Sequence, residues 1–73
     1  MKLDVFGKQV EIIRRDEKWL TFYLGNEGKK RNAPEIIIPD DIPENEIVGF
    51  VSDLCHEWAT AKNPKVVVLN QQN

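Results

Sequence analysis

The sequence predicts an α+β domain: an antiparallel β-meander of three to four strands with one amphipathic helix packed on one face, in the order βββ(β)αβ. Three observations predict it. Residues 2–24 alternate apolar and polar side chains in segments broken by short polar turns, which is the period of a half-buried strand. Between Asp41 and Asn63 the apolar residues recur instead at helical spacing. Lys65–Leu69 then returns to a β-branched run. A chain of 73 residues has room for one small core, so 1–69 is read as a single domain and 70–73 as a frayed polar tail.

The alternation of Lys2–Phe6 makes the first strand, Gly7-Lys8 a two-residue hairpin turn and Gln9–Arg15 the second strand. Asp16-Glu17-Lys18 reads as a polar turn and Trp19–Leu24, rich in aromatic and β-branched residues, as the third strand. On this reading Leu20, Phe22 and Leu24 join Leu3, Val5, Val10 and Ile12 facing the helix, and Phe6, Ile13, Trp19 and Tyr23 point outward. Gly25–Asn32 is a loop by composition, with two glycines and three consecutive cations. Pro34 and Pro39 bracket Ile36-Ile37-Ile38, which is a short edge strand or an extended crossing segment.

The helix carries start and stop signals. Asp41 with Glu44 has the spacing of a capping box, Pro43 is tolerated in the first turn, and Asn63-Pro64 ends it. At about 100° per residue, Ile47, Val48, Phe50, Val51, Leu54, Cys55, Trp58, Ala59 and Ala61 fill one half of the wheel. Asn45, Glu46, Gly49, Ser52, Asp53, His56, Glu57 and Thr60 fill the other. Such a partition belongs to a helix lying on a sheet.

Composition bounds the function. With 41% hydrophobic and 30% charged residues the chain is an ordinary globular one rather than a disordered one. Its longest apolar runs, Ile36–Ile38 and Val66–Leu69, are far too short for a membrane-spanning helix. Asp4 stands where a secretion signal needs an apolar run, and a single cysteine fits a reduced protein, so a cytoplasmic location is expected. The net charge of −2 conceals +2 over residues 1–35 and −4 over residues 36–73, a dipolar surface without the basic excess of a dedicated DNA binder.

Five groups of residues invite a functional reading. Cys55-His56-Glu57 are adjacent, but neighbouring helical residues diverge by about 100°, so Cys55 is a packed thiol and not a nucleophile paired with His56. Ser52, Asp53 and His56 lie on the polar arc, where a convex helix face supplies neither a pocket nor an oxyanion donor, and no second ligand cluster completes a metal site there. Accordingly no enzyme activity, cofactor or metal is expected. Asn45, Gly49, Ser52 and His56 form a low strip that another backbone can approach closely.

Lys29, Lys30 and Arg31 give the Gly25–Asn32 loop an anion-binding character, although no Ser or Thr follows the lysines and no helix begins there, so it is not a P-loop. An outward set of Phe6, Ile13, Trp19 and Tyr23 is more apolar than a solvated sheet face. The economical partner for it is a second copy of the chain or another protein, since a small core gains from extra burial. The alternative is nucleic acid or phosphate held by Lys29, Lys30 and Arg31 with Trp19 and Tyr23 as stacking platforms.

Three segments, Phe22–Arg31, Ile38–Ile42 and Leu54–Ala59, together resemble a family of short uncharacterised bacterial proteins, a domain of unknown function, over most of the chain. That resemblance implies no activity, ligand or catalytic residue. The element order is also similar to that of small antitoxin domains of the HicB type.

Overall fold

The structure, a computed structural model, describes residues 1–25 and 29–69. Asn26-Glu27-Gly28 of the glycine-containing loop and the polar tail 70–73 lie outside the described residues. The architecture is the α+β one expected. β1 (Lys2–Val5), β2 (Lys8–Arg15), β3 (Lys18–Leu24), β4 (Lys30–Asn32) and β5 (Val66–Val68) form one antiparallel sheet in the order β4-β3-β2-β1-β5, with the helix before the last strand.

Both long hairpins close through two residues of positive φ, the backbone twist that matches paired strands. Phe6 and Gly7, at φ 52 and 96, join β1 to β2; Asp16 and Glu17, at φ 52 and 65, join β2 to β3. The first turn lies one residue earlier than expected. Val5 therefore pairs with Lys8 and Leu3 with Val10, a slip of two in register that leaves every face unchanged. The second turn has two residues and not three, since Lys18 already pairs with Arg15. That single residue reverses β3, because side chains alternate with a period of two.

Trp19, Thr21 and Tyr23 consequently stand on the helix side, opposite Arg14, Ile12 and Val10, and Leu20, Phe22 and Leu24 point away from it. This corrects the expected placement of the outer set. Ile13 is on the outer face, whereas Trp19 and Tyr23 pack against the core and Phe6, in the first turn, is buried within it. The polar ends of the three inward β3 residues explain why this register wins. Trp19 Nε1–H donates to Ile42 O at 2.9 Å, Thr21 Oγ1 to Ile36 O at 2.7 Å, and Tyr23 O–H to Glu35 Oε1 at 2.7 Å. Arg14, across from Trp19, adds a bond to Asp40 O at 2.9 Å.

Those bonds latch the extended segment that crosses from β4 to the helix. Ile36-Ile37-Ile38 is that segment and not a strand: Ile36 and Ile38 are 1% and 4% exposed and Ile37 between them is 73% exposed. The fourth strand lies earlier, where Lys30–Asn32 of the expected loop pairs with Phe22–Leu24.

The helix is shorter at both ends than its pattern suggests. Pro43, extended at φ −74 and ψ 158, occupies the N-cap without a side-chain bond, so the Asp41–Glu44 box does not form. A 3₁₀ turn, Glu44–Glu46, leads into α1 (Ile47–Leu54). Cys55 leaves helical geometry at ψ 17, and a second 3₁₀ turn, His56–Trp58, follows. Thr60 and Asn63 then close on each other, with Thr60 N donating to Asn63 O at 3.1 Å and Asn63 N to Thr60 Oγ1 at 3.0 Å. This turn stops the helix before Ala59 and Ala61 can join its apolar arc. Ile47, Val51 and Cys55, spaced by four, bury one stripe against Leu3, Val5, Val10 and Ile12. No helix among the described residues is long and apolar enough to cross a membrane.

Candidate functional site

The sheet has two faces with different fates. Helix and crossing segment cover one; among the described residues nothing covers the other. On the uncovered face Leu20 pairs with Ile13, Phe22 lies between Glu11 and Asn32, Leu24 lies beside Lys30, and Val67 lies beside Asp4. Ile13, Leu20, Phe22 and Leu24 are partly exposed and Val67 is 44% exposed. The charges around them compensate. Lys30 Nζ sits 2.7 Å from Glu11 Oε1 and 5.5 Å above the Phe22 ring, and this ion pair holds the Glu11 carboxyl below its ordinary pKa. Lys2 and Asp4 add one charge of each sign, as neighbours of Glu11 and Gln9 across the ladder. The middle of the face around Phe22 is thus apolar and without net charge, while Arg15 and Lys18, paired two residues beyond Ile13 and Leu20, place two cations at its hairpin end.

The expected outer set of Phe6, Ile13, Trp19 and Tyr23 is therefore not brought together, and Leu20, Phe22 and Leu24 take the place of three of its members. Hydrophobicity alone could not assign β3, since both its faces carry large side chains. Pairing each aromatic or hydroxyl tip with a carbonyl or carboxylate acceptor on the crossing segment is the signal that would have found it.

Lys29, Lys30 and Arg31 also diverge. Lys30 and Arg31 are consecutive on β4, so Lys30 lies on the uncovered face and Arg31 on the helix side, its guanidinium 5.6 Å from the Tyr23 ring; Lys29 precedes the strand, its carbonyl accepting from Gly25 N at 2.7 Å. Trp19 is far from a stacking platform: its N–H is tied to Ile42 and the Arg14 guanidinium covers its ring at 4.6 Å. The three cations and two aromatics do not make one surface.

On the helix side, an open groove of about 900 Å³ lies where Trp58 and Glu35 approach across the sheet. Lys8 reaches into it with its Nζ 5.6 Å from the Trp58 ring, and Arg31 enters over Tyr23. Burial and the bond to Glu35 push the Tyr23 phenol up to about 12, and the same bond holds the Glu35 carboxyl below its ordinary value. Lys8, Glu35 and Trp58 were not legible as site residues, because a hairpin turn, a proline-flanked loop and a helix arc each gave them a local role.

The helix strip remains exposed apart from the half-buried Ser52. Asn45 and His56 fall in the 3₁₀ turns at its ends, and a Cβ at Gly49 meets no atom within 4 Å. His56 Nδ1–H donates to Asp53 O at 2.9 Å, so the ring caps its own turn rather than facing Ser52. Cys55 is 3% exposed, and burial raises its thiol pKa, the opposite of what a reactive thiolate needs. Among the described residues there is no group of three His, Cys, Asp or Glu placed to hold a metal ion.

A family model described as "Domain of unknown function (DUF7661)" matches residues 1–70. No curated protein and no solved structure matches the chain.

Proposed function

We propose that this chain, which belongs to the DUF7661 family of domains of unknown function, is a non-enzymatic interaction module of the cytoplasm that self-associates through the uncovered face of its sheet. One observation carries the reading: β3 turns Leu20, Phe22 and Leu24 outward, beside Ile13, on the face that helix and crossing segment leave bare. Turning those side chains out while Trp19, Thr21 and Tyr23 hold the crossing segment leaves an apolar strip that water solvates poorly.

The occupant that fits is a second copy. The strip runs along one strand and can meet its own two-fold mate, as an isologous interface requires. Lys2, Asp4, Glu11 and Lys30 contribute two charges of each sign around the strip, and the Arg15–Lys18 pair adds two cations at its hairpin end, so the two-fold mate that fits is one that sets those ends apart. Size sets the strength. A five-stranded face of short strands offers roughly 500 Å² in plan, from strand spacing and rise. Two copies then bury roughly 1,000 Å², the threshold of a specific interface. A reversible dimer with a dissociation constant on the order of 10 to 100 μM is expected, not an obligate one.

Sedimentation equilibrium tests this. The expected result is a mass that rises from one chain to two across that concentration range, and a Leu20→Glu variant that stays monomeric with an unchanged melting temperature. A wild-type chain that remains strictly monomeric at high micromolar concentration would refute the reading.

A further inference from the structure

The groove on the helix side is lined by two cations, one carboxylate and two aromatic rings. It exists because the helix ends early. α1 stops at Leu54, the following 3₁₀ turn swings Trp58 over the sheet, and the crossing segment brings Glu35 in from the other side, leaving the floor between them open. Two cations from different strands, Lys8 of β2 and Arg31 of β4, converge on that space.

Each cation is held by a ring. Lys8 lies over Trp58 at 5.6 Å and Arg31 over Tyr23 at 5.6 Å, and Tyr23 is itself anchored at 2.7 Å to Glu35. A cation over a π face keeps its N–H groups free to donate, and a guanidinium offers several donors in one rigid fork. Both charges act on Glu35, so all three groups share one electrostatic field. That leaves one net positive charge in the groove. A monoanionic oxyanion, a carboxylate or a singly ionised phosphate monoester, balances it, whereas each further negative charge meets the Glu35 carboxylate.

We infer that this groove binds the oxyanion group of a small ligand, a carboxylate or a phosphate monoester, with Lys8 and Arg31 as the donors and Glu35 as the group that rejects polyanions. Charge-assisted bonds of this kind are the strong ones, and losing one weakens binding by about tenfold or more. The volume of about 900 Å³ is within the range of small-molecule sites.

The two tryptophan indole N–H signals in the nuclear magnetic resonance spectrum test it, with acetate and inorganic phosphate as separate probes against sodium chloride at equal ionic strength. Saturable movement of the Trp58 signal with Trp19 unmoved is expected from at least one probe. Saturation by phosphate alone identifies a phosphate ester as the ligand class, and by acetate alone a carboxylate. Lys8→Gln and Arg31→Gln are each expected to weaken binding at least tenfold. Glu35→Gln is expected to tighten it, a gain that misfolding cannot produce. No movement beyond the chloride control, equal movement of both tryptophans, or undiminished binding in the Lys8 and Arg31 variants would overturn the assignment.

Discussion

Replacing Glu17 by glycine should stabilise this domain, and the same position decides which way β3 faces. Glu17 holds φ at 65, in the left-handed region. That conformation costs an L-residue roughly 1–2 kcal/mol. Glycine removes the strain and loses roughly 0.5–1 kcal/mol through its freer unfolded chain. The net expectation is a gain of about 0.5–1 kcal/mol. In urea, with a slope near 1 kcal/mol/M for a chain of this size, the midpoint should rise by about 0.5–1 M.

Lys18→Gly is the matched control. Lys18 begins β3 and pairs with Arg15, so glycine there should cost about 0.5–1 kcal/mol. A three-residue loop over Asp16-Glu17-Lys18 places its left-handed residue at position 18 and reverses the order of the two variants. That outcome would turn Leu20, Phe22 and Leu24 inward and refute the assignment of both faces.

Three further results are expected. Gly49→Ala should raise stability by up to about 1 kcal/mol, since the added methyl meets open space on the helix; thermal melting reads it, and a loss would show that something packs against that strip. Tyr23, the one tyrosine, should ionise near 12 in the folded chain against 10 when unfolded, measured by tyrosinate absorbance. Because the fold favours the neutral phenol, its contribution is complete below pH 10 and is lost as pH rises from 10 to 12; a midpoint near 10 in the folded chain would contradict the partial burial of the phenol and its bond to Glu35. Cys55 should alkylate far more slowly in native buffer at neutral pH than in urea, and equal rates would show that the thiol is not packed.

How far the sequence could be read depended on whether an error of position preserved parity. In the first hairpin the turn lies at Phe6-Gly7 rather than Gly7-Lys8, yet the register slips by two and Leu3, Val5, Val10 and Ile12 stay inside. In the second the error is one residue, and it exchanges the two faces of β3. Apolar content did not separate them, because Trp19 and Tyr23 are as bulky as Leu20 and Phe22. What separates them is the set of carbonyl and carboxylate acceptors on the crossing segment, which alternation does not reveal.

β4 was hidden for another reason. Lys30-Arg31-Asn32 has poor strand propensity, but charged residues suit a short edge strand that must not recruit other chains. The groove was hidden because its parts lie on β2, β3, β4, the crossing segment and the turn after the helix, with no local spacing to link them. The helix itself was legible from Ile47 to Leu54, and its stop was placed too late because the Thr60–Asn63 turn forms before Pro64.

The most direct test of self-association through the sheet is an isotope-filtered nuclear Overhauser experiment on a mixture of labelled and unlabelled chains at high micromolar concentration. Intermolecular contacts from the Phe22 ring to the methyls of Ile13, Leu20 and Leu24 on the partner are expected. Contacts confined to the β5 edge at Val66–Val68, or none at all, would contradict it.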